Sequence, residues 1–291
     1  MTLAGVKRDL TKRRFWSRLS TQTLSCIGLF SILAGIASSL FPKALPPHGT
    51  LLAILAVLAS AAYGMFKSWP RPVWQTYNSP NTEVCIVEGD LFEQDGNIVI
   101  GMSDTFDTEI PHVIDEKGVQ AQLLTRIYRS DIQALNKALA EALKSHSVDH
   151  SFAPSDQKRG KQHAYPLGTV AVIEPAPRKL YFCVAYSEMN SRNEAHGSID
   201  GVWRSLNNLW AEVRARGNGD PISIAVIGGG QARISQHFPA QDSIRFMILS
   251  YMFASRQEKV ASKLSIVVRK SDAASIDMLE LRAFLKSLRP S

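Results

Sequence analysis

Between Arg18 and Lys67 only one side chain, Lys43, carries a formal charge at neutral pH. A soluble helix normally shows a polar stripe along one side, and this run offers almost none. Pro42, Pro46 and Pro47 break the run into two apolar stretches, residues 24–41 and 50–66. Proline cannot continue a helix, so the break reads as a tight turn. A spanning helix needs about 20 apolar residues, within a range of about 17–25, and both stretches qualify, the second at the short end. The expected organisation is a basic tail over 1–20, two transmembrane helices within 21–66, a linker over 67–82 marked by Pro70, Pro72 and Pro80, and a domain over 83–291. Two readings compete with the membrane hairpin: a helical pair buried in a soluble core, and a cleaved signal peptide ending near Ala37-Ser38-Ser39. Cleavage there would still leave the second apolar stretch.

The flanks orient the hairpin. Lys7, Arg8, Lys12, Arg13, Arg14 and Arg18 precede it against Asp9, and Lys67 and Arg71 follow it. Positive charge stays on the cytoplasmic side, so a multi-pass protein of the cell (inner) membrane is expected, with both termini and the large domain in the cytoplasm. Trp69, Trp74 and Tyr77 lie where interfacial aromatics are found. Small residues such as Gly28, Gly35, Ala56 and Gly64 permit close packing, either within the hairpin or between copies of a homo-oligomer. The net charge of +7 belongs to the tail, because residues 67–291 hold 26 basic and 25 acidic side chains. That balance speaks against nucleic acid, whose binding domains carry a basic face of their own. Cys26, Cys85 and Cys183 include no C-x-x-C pair, which excludes a disulfide scaffold and a cysteine zinc site. They read as three buried thiols in a reducing compartment.

Beyond the linker two periods alternate. Residues 84–88, 97–101, 169–174, 180–186, 222–227 and 264–268 read as strands. Helices are expected from Ser130-Asp131 to about Lys144, from a Ser198 cap to Gly217, over about 241–257, and over 276–288. Residues 145–163 are polar and read as a mobile loop. The order β-β-α-β-β-α-β-α-β-α implies an α/β sandwich with a mixed central sheet.

Two strand ends run into loops suited to phosphate. One is Ile100-Gly101-Met102-Ser103-Asp104-Thr105; the other is Ile227-Gly228-Gly229-Gly230-Gln231-Ala232-Arg233. Glycines let consecutive backbone N–H groups close on an anion, and ligands of open α/β sheets bind beyond the carboxyl ends of the strands. A flexible strand exit is the plainer reading of the three glycines. A dinucleotide fingerprint fails, since Arg233 stands where its last glycine belongs. Gly89-Asp90-Leu91 follows the first strand. Asp90 there reads either as a turn former or as an acceptor for an adenine amine. No Walker A, G-x-S-x-G or HExxH motif is present, and His146 and His150 in a polar stretch make a poor metal pair, so no metal and no cofactor are expected.

These pieces together resemble a macro domain, the module that binds ADP-ribose, over about 84–288. The resemblance implies a macro-type three-layer α/β/α sandwich with a mixed sheet. It implies that Asp90 and Leu91 meet the adenine, and that Gly101, Met102, Ser103, Asp104 and Thr105 cradle the diphosphate with Gly228, Gly229, Gly230, Gln231, Ala232 and Arg233. The chain departs from the hydrolytic members. Many carry Asn where this chain has Gly101 and Asp104, and a small hydrolase branch has Lys near Ser187 or Glu188 and Asp at Ala232. Neither Ser187 nor Ala232 supplies an amine nucleophile or a proton-transfer group, which favours a binding protein with no catalytic residues. Two spans before one macro domain are similar to the transmembrane-macro effectors of type II Thoeris antiphage systems. That likeness implies a sensor-effector that binds an ADP-ribose derivative, a histidine conjugate in the family, made by a functional partner, a TIR-domain enzyme. The effector would then act on membrane lipid. A membrane-tethered ADP-ribosyl hydrolase using Asp104 or Glu188 as base, and a SLOG-like nucleotide sensor, are the alternatives.

Overall fold

The computed structural model describes residues 13–40, 49–68, 73–156, 158–227 and 238–288. The chain divides into two units, residues 1–72 and 73–291. The first unit holds helices α1 (Arg13–Leu40) and α2 (Gly49–Ser68). The apolar part of α1, Phe15–Leu40, has 26 residues. At about 1.5 Å per residue it is about 39 Å long, more than a hydrocarbon core of about 30 Å. The apolar part of α2 is the shorter Leu52–Lys67, about 24 Å by the same rise. Among the described residues α1 alone is therefore long and apolar enough to cross a membrane, where the sequence suggests two spans. A Cβ at Gly64 would run into Thr23 and Leu19, so the end of α2 lies against the first part of α1. Cys26 on α1 is part-exposed rather than buried.

The second unit is built on strands β1 (Val73–Asn78), β2 (Asn81–Glu88), β3 (Asn97–Ser103), β6 (Val170–Ala176), β7 (Lys179–Met189), β9 (Ile222–Ala225) and β10 (Lys263–Val268). Their order in the sheet is β1-β2-β10-β9-β3-β7-β6. The five central strands run parallel, and β1 and β6 close the edges antiparallel. A two-residue strand β8 (Ala195–His196) extends β7. Another small ribbon joins β4 (His150–Ser151) to β5 (His163–Ala164).

Both faces of the sheet are apolar, as a sheet covered on two sides requires. On β3 and β7, Val99, Phe182 and Val184 enter one core and Ile98, Ile100, Tyr181 and Cys183 the other. The first core is covered by α5 (Ile199–Arg216), α6 (Ala240–Gln257) and α7 (Met278–Ser287). The second is covered by α4 (Ile132–Leu143) and the short α3 (Val119–Gln122), which runs on into a π turn, Leu123–Ile127. The helix ends are those the sequence indicates. The Asp131 carboxylate accepts from Ala134 N–H, Ser198 Oγ from Gly201 N–H, and α5 stops at Gly217. Each such cap contributes about 1 kcal/mol.

Three expectations change. Val73–Asn78 lies inside the stretch read as linker, yet it alternates buried and exposed and pairs with β2. Tyr77 is accordingly a core residue and not an interfacial one; its hydroxyl donates to the Leu285 carbonyl at 2.6 Å. Trp74 points to solvent, and Trp69 lies outside the described residues. Residues 145–163 are anchored rather than loose, through Lys158 as described below.

Candidate functional site

The carboxyl ends of β10, β9, β3 and β7 open into one cleft, lined from the sheet by Arg269, Val226, Ile227, Gly101, Ser103, Tyr186 and Ser187. Its opposite wall is the first turn of α3 and the residues before it, with Asp115, Gly118, Val119 and Gln120. A cleft over the carboxyl ends of parallel strands is where this class of sheet takes its ligands.

An irregularity between β3 and β7 shapes the floor. Met102 pairs with Ala185, but Ser103 pairs with Ser187, leaving Tyr186 as the extra residue. Such a bulge re-aims a side chain. The Tyr186 ring lies over Gly101, where an added Cβ would come within 2.5 Å of it. Glycine at 101 and the bulged tyrosine are thus one feature: the ring fills the space a side chain at 101 would need. Burial pushes the Tyr186 hydroxyl up, against the pull of nearby Arg269.

The other residues of this loop serve mainly as ties. Met102 borders the cleft but is buried in the second core. Asp104 is buried. Its carboxylate accepts from the Met189 N–H at 2.9 Å and its own N–H donates to the Ser187 carbonyl at 2.8 Å, fastening the β3 loop to β7. Burial pushes the Asp104 carboxyl up to about 6, against the Met189 hydrogen bond that favours the charged form. Thr105 is fully buried and donates to Asp107 at 2.6 Å.

Asp107 opens a cluster that no sequence motif announces. Its carboxylate holds Lys158 Nζ at 2.9 Å, with both side chains wholly covered. Lys158 also donates to the carbonyls of Arg159 and Lys161, at 2.9 and 2.7 Å, so its three protons are all placed. The Asp107 carboxylate packs against Gly160, whose φ of +77° and lack of a Cβ both suit glycine. The neighbouring Lys161 donates to the Phe106 carbonyl at 2.8 Å, and burial pushes its ammonium down to about 8. This buried cluster pins 158–161 beneath the β3 loop.

Asp90 sits at the end of β2 and caps a short turn by accepting from the Phe92 N–H at 2.8 Å. Its second oxygen takes Arg126 at 2.6 Å, and Arg126 in turn lies over the Phe92 ring. Burial raises the Asp90 carboxyl, but the Arg126 and Phe92 hydrogen bonds outweigh it and hold it below the usual range. Leu91 is buried in the second core. Neither Asp90 nor Leu91 is among the residues lining the cleft, and Gly228, Gly229, Gly230, Gln231, Ala232 and Arg233 lie outside the described residues. Among the described residues no group of three His, Cys, Asp or Glu side chains is placed to hold a metal ion.

Tyr186, Arg269 and the wall at 115–120 carry no motif. Tyr186 needed the bulge to be seen. The wall is a turn leading into a four-residue helix, too short to show a period.

A mixed sheet in this order, with helices on both faces and a cleft at the carboxyl ends of its parallel strands, defines the macro-domain class. The Oceanobacillus iheyensis macrodomain solved with ADP is similar at a TM-score of 0.52 and 13% identity, over 75% of this chain and 100% of that one. A point mutant of the same macrodomain is similar at 0.51 and 13%, with the same coverage. At that identity the likeness is one of fold. No curated protein matches the chain. The family model described as Thoeris protein ThsA, Macro domain, matches residues 84–269, and the chain belongs to that family.

Proposed function

We propose that this protein is a membrane-anchored sensor-effector of antiphage defence whose macro domain binds an ADP-ribose derivative. The observation that carries the reading is the cleft over β10, β9, β3 and β7 in a chain of the ThsA macro family. A macrodomain of the same fold has been solved with ADP, a ligand that shares the adenosine diphosphate part. In this reading the β3 loop and residues 228–233 hold the diphosphate, and the free lone pairs of Asp90 take the adenine amine beside Arg126. The end group on the distal ribose, a histidine in the conjugate the family resemblance implies, faces the Tyr186–Ser187 end. A TIR-domain enzyme supplies the ligand.

Binding in place of hydrolysis is supported by the floor. Tyr186 occupies the side-chain space at 101, and Asp104 is engaged by Met189. Helix α1, with α2 beside it, anchors copies of the chain in the inner membrane with both termini cytoplasmic. Ligand binding then reorganises the homo-oligomer and breaches the bilayer. A ligand drives such a change only by binding the active arrangement more tightly.

Calorimetry on the full chain in non-ionic detergent tests the reading. ADP-ribose and its histidine conjugate bind, and Asp90→Ala weakens both about tenfold, the loss expected for a charge-assisted hydrogen bond. In cells, dye uptake rises only when the chain and a TIR enzyme are expressed together. Absence of binding to either nucleotide overturns the reading, and steady release of free ADP-ribose from modified protein replaces it with a hydrolase.

A further inference from the structure

We infer that Arg269 is a cation that neutralises the ligand's diphosphate, an inference that rests on the ADP-ribose reading above. Among the described residues that line the cleft Arg269 is the sole Lys or Arg, against two carboxylates, Asp115 and Asp272. Both carboxylates are locally engaged: Asp115 accepts from the Lys117 N–H at 3.0 Å and Asp272 from Ser271 Oγ at 2.9 Å. Arg269 is exposed and forms no ion pair or side-chain hydrogen bond among the described residues. Its backbone is nevertheless fixed. Val268 ends β10 in register with Glu88, the Val268 carbonyl accepts from Gly89 N–H at 3.0 Å, and the Arg269 carbonyl accepts from Asp272 and Ala273 N–H at 3.0 Å each.

The sheet order gives this position its meaning. β10 lies between β2, which leads into Gly89-Asp90, and β9, which leads into Ile227 and the three glycines. Arg269 therefore leaves the sheet between the element assigned to the adenine and the element assigned to the phosphates. A diphosphate brings about two negative charges into a cleft whose described lining is otherwise neutral or acidic. Backbone N–H groups offer partial charges only, whereas a guanidinium offers a full charge and a planar fork that matches two phosphate oxygens. A lysine at 269 would supply the charge without the fork.

The test is calorimetry of ADP-ribose with the full chain in non-ionic detergent at about 50 and about 300 mM salt, a range over which partly exposed charge pairs are progressively screened. The wild type loses affinity as salt rises. Arg269→Ala binds about 10–100-fold more weakly at low salt, the factor expected for a charge-assisted contact of about 1.5–3 kcal/mol, and loses less on going to high salt. Arg269→Lys falls between the two. Because the side chain is exposed and, among the described residues, unpaired, both variants melt as the wild type does. Equal affinity of Arg269→Ala and wild type at both salts overturns the inference. So does a weaker Arg269→Ala with the full salt dependence, since the guanidinium then packs on the base and not on the phosphates. Wild-type protein that binds no ADP-ribose at all overturns the ligand reading itself.

Discussion

In the first unit Leu24, Ile32, Leu40 and Leu58 leave 65, 63, 67 and 61% of their surface uncovered, whereas Ile98, Leu135, Phe182 and Ile266 in the second leave none. The residue types are the same; their spacing differs. Along β3 and β7 apolar side chains alternate between two cores, each covered by helices. Around α1 and α2 apolar side chains run on every side, and among the described residues of these helices only Phe15, Ser60 and Gly64 are buried. A protein core is selective about direction. A hydrocarbon layer is not, and an all-round apolar helix fits the second kind of surroundings. Charge follows the same division. The second unit buries a complete ion pair, Asp107–Lys158, while the first has no charged residue between Leu19 and Leu40.

The largest effect that would break this contrast comes from charging α1. Leu29 and Ile32 are 58 and 63% uncovered. A lysine near the centre of a spanning helix costs about 2.5–3.5 kcal/mol in insertion. Leu29→Lys with Ile32→Lys is expected to release the chain from carbonate-washed membranes or to deplete it from cells, while the wild type stays in the pellet. Wild-type chain that remains in solution without detergent would show that protein, not lipid, covers those side chains.

The next effect sharpens the other half. Asp107→Ala leaves the Lys158 ammonium buried without its counter-charge. Breaking a buried pair from one side costs about 3–5 kcal/mol, and replacing both partners by apolar groups costs far less. Thermal unfolding of the macro unit within the full chain should therefore fall sharply for Asp107→Ala and recover largely in Asp107→Ala with Lys158→Met. If Asp107→Ala melts with the wild type, Lys158 reaches water and residues 158–161 are not pinned.

That cluster also marks where sequence patterns stop being readable. Elements long enough to repeat a period are legible: α4 from Ile132, Leu135, Leu139 and Leu143, α5 from its Ser198 cap to Gly217, and the central strands from unbroken apolar runs. The strand Val73–Asn78 shows no apolar period, since Gln75 is buried and Trp74 exposed, and Pro72 and Pro80 on either side of it imitate a linker. Lys158 reads as a solvated charge because its partner is far away in sequence and only the fold brings them together. Residues 101–105, proposed as a phosphate loop, are legible as a segment, yet their individual directions are not. Asp104 and Thr105 turn inward as ties, and the bulge brings Tyr186 to the floor in their place. Arg269 is an ordinary cation after a strand until the sheet order sets it between the ends of β2 and β9.

The smallest predicted effect belongs to the second unit alone, because the described part of the first has no carboxylate or histidine to titrate in mild acid. The buried Asp104 carboxyl is raised from an ordinary 3.8 to about 6. A group that holds its proton more tightly in the folded state adds stability that is full below its unfolded value and is lost as pH rises through its folded value. Wild-type stability should therefore decline from about pH 4 to about pH 6 by a share that Asp104 owns, on the order of 2–3 kcal/mol. Asp90, held low by Arg126, works in the opposite sense, so the informative quantity is the difference between variants. Asp104→Asn keeps an acceptor for the Met189 N–H and stays neutral at every pH. Its stability relative to the wild type should rise across that window and level off above it, as read by melts at half-unit steps of pH. Parallel curves for the two proteins would mean that Asp104 titrates at its ordinary value, and that water, not the end of β7, surrounds the carboxylate.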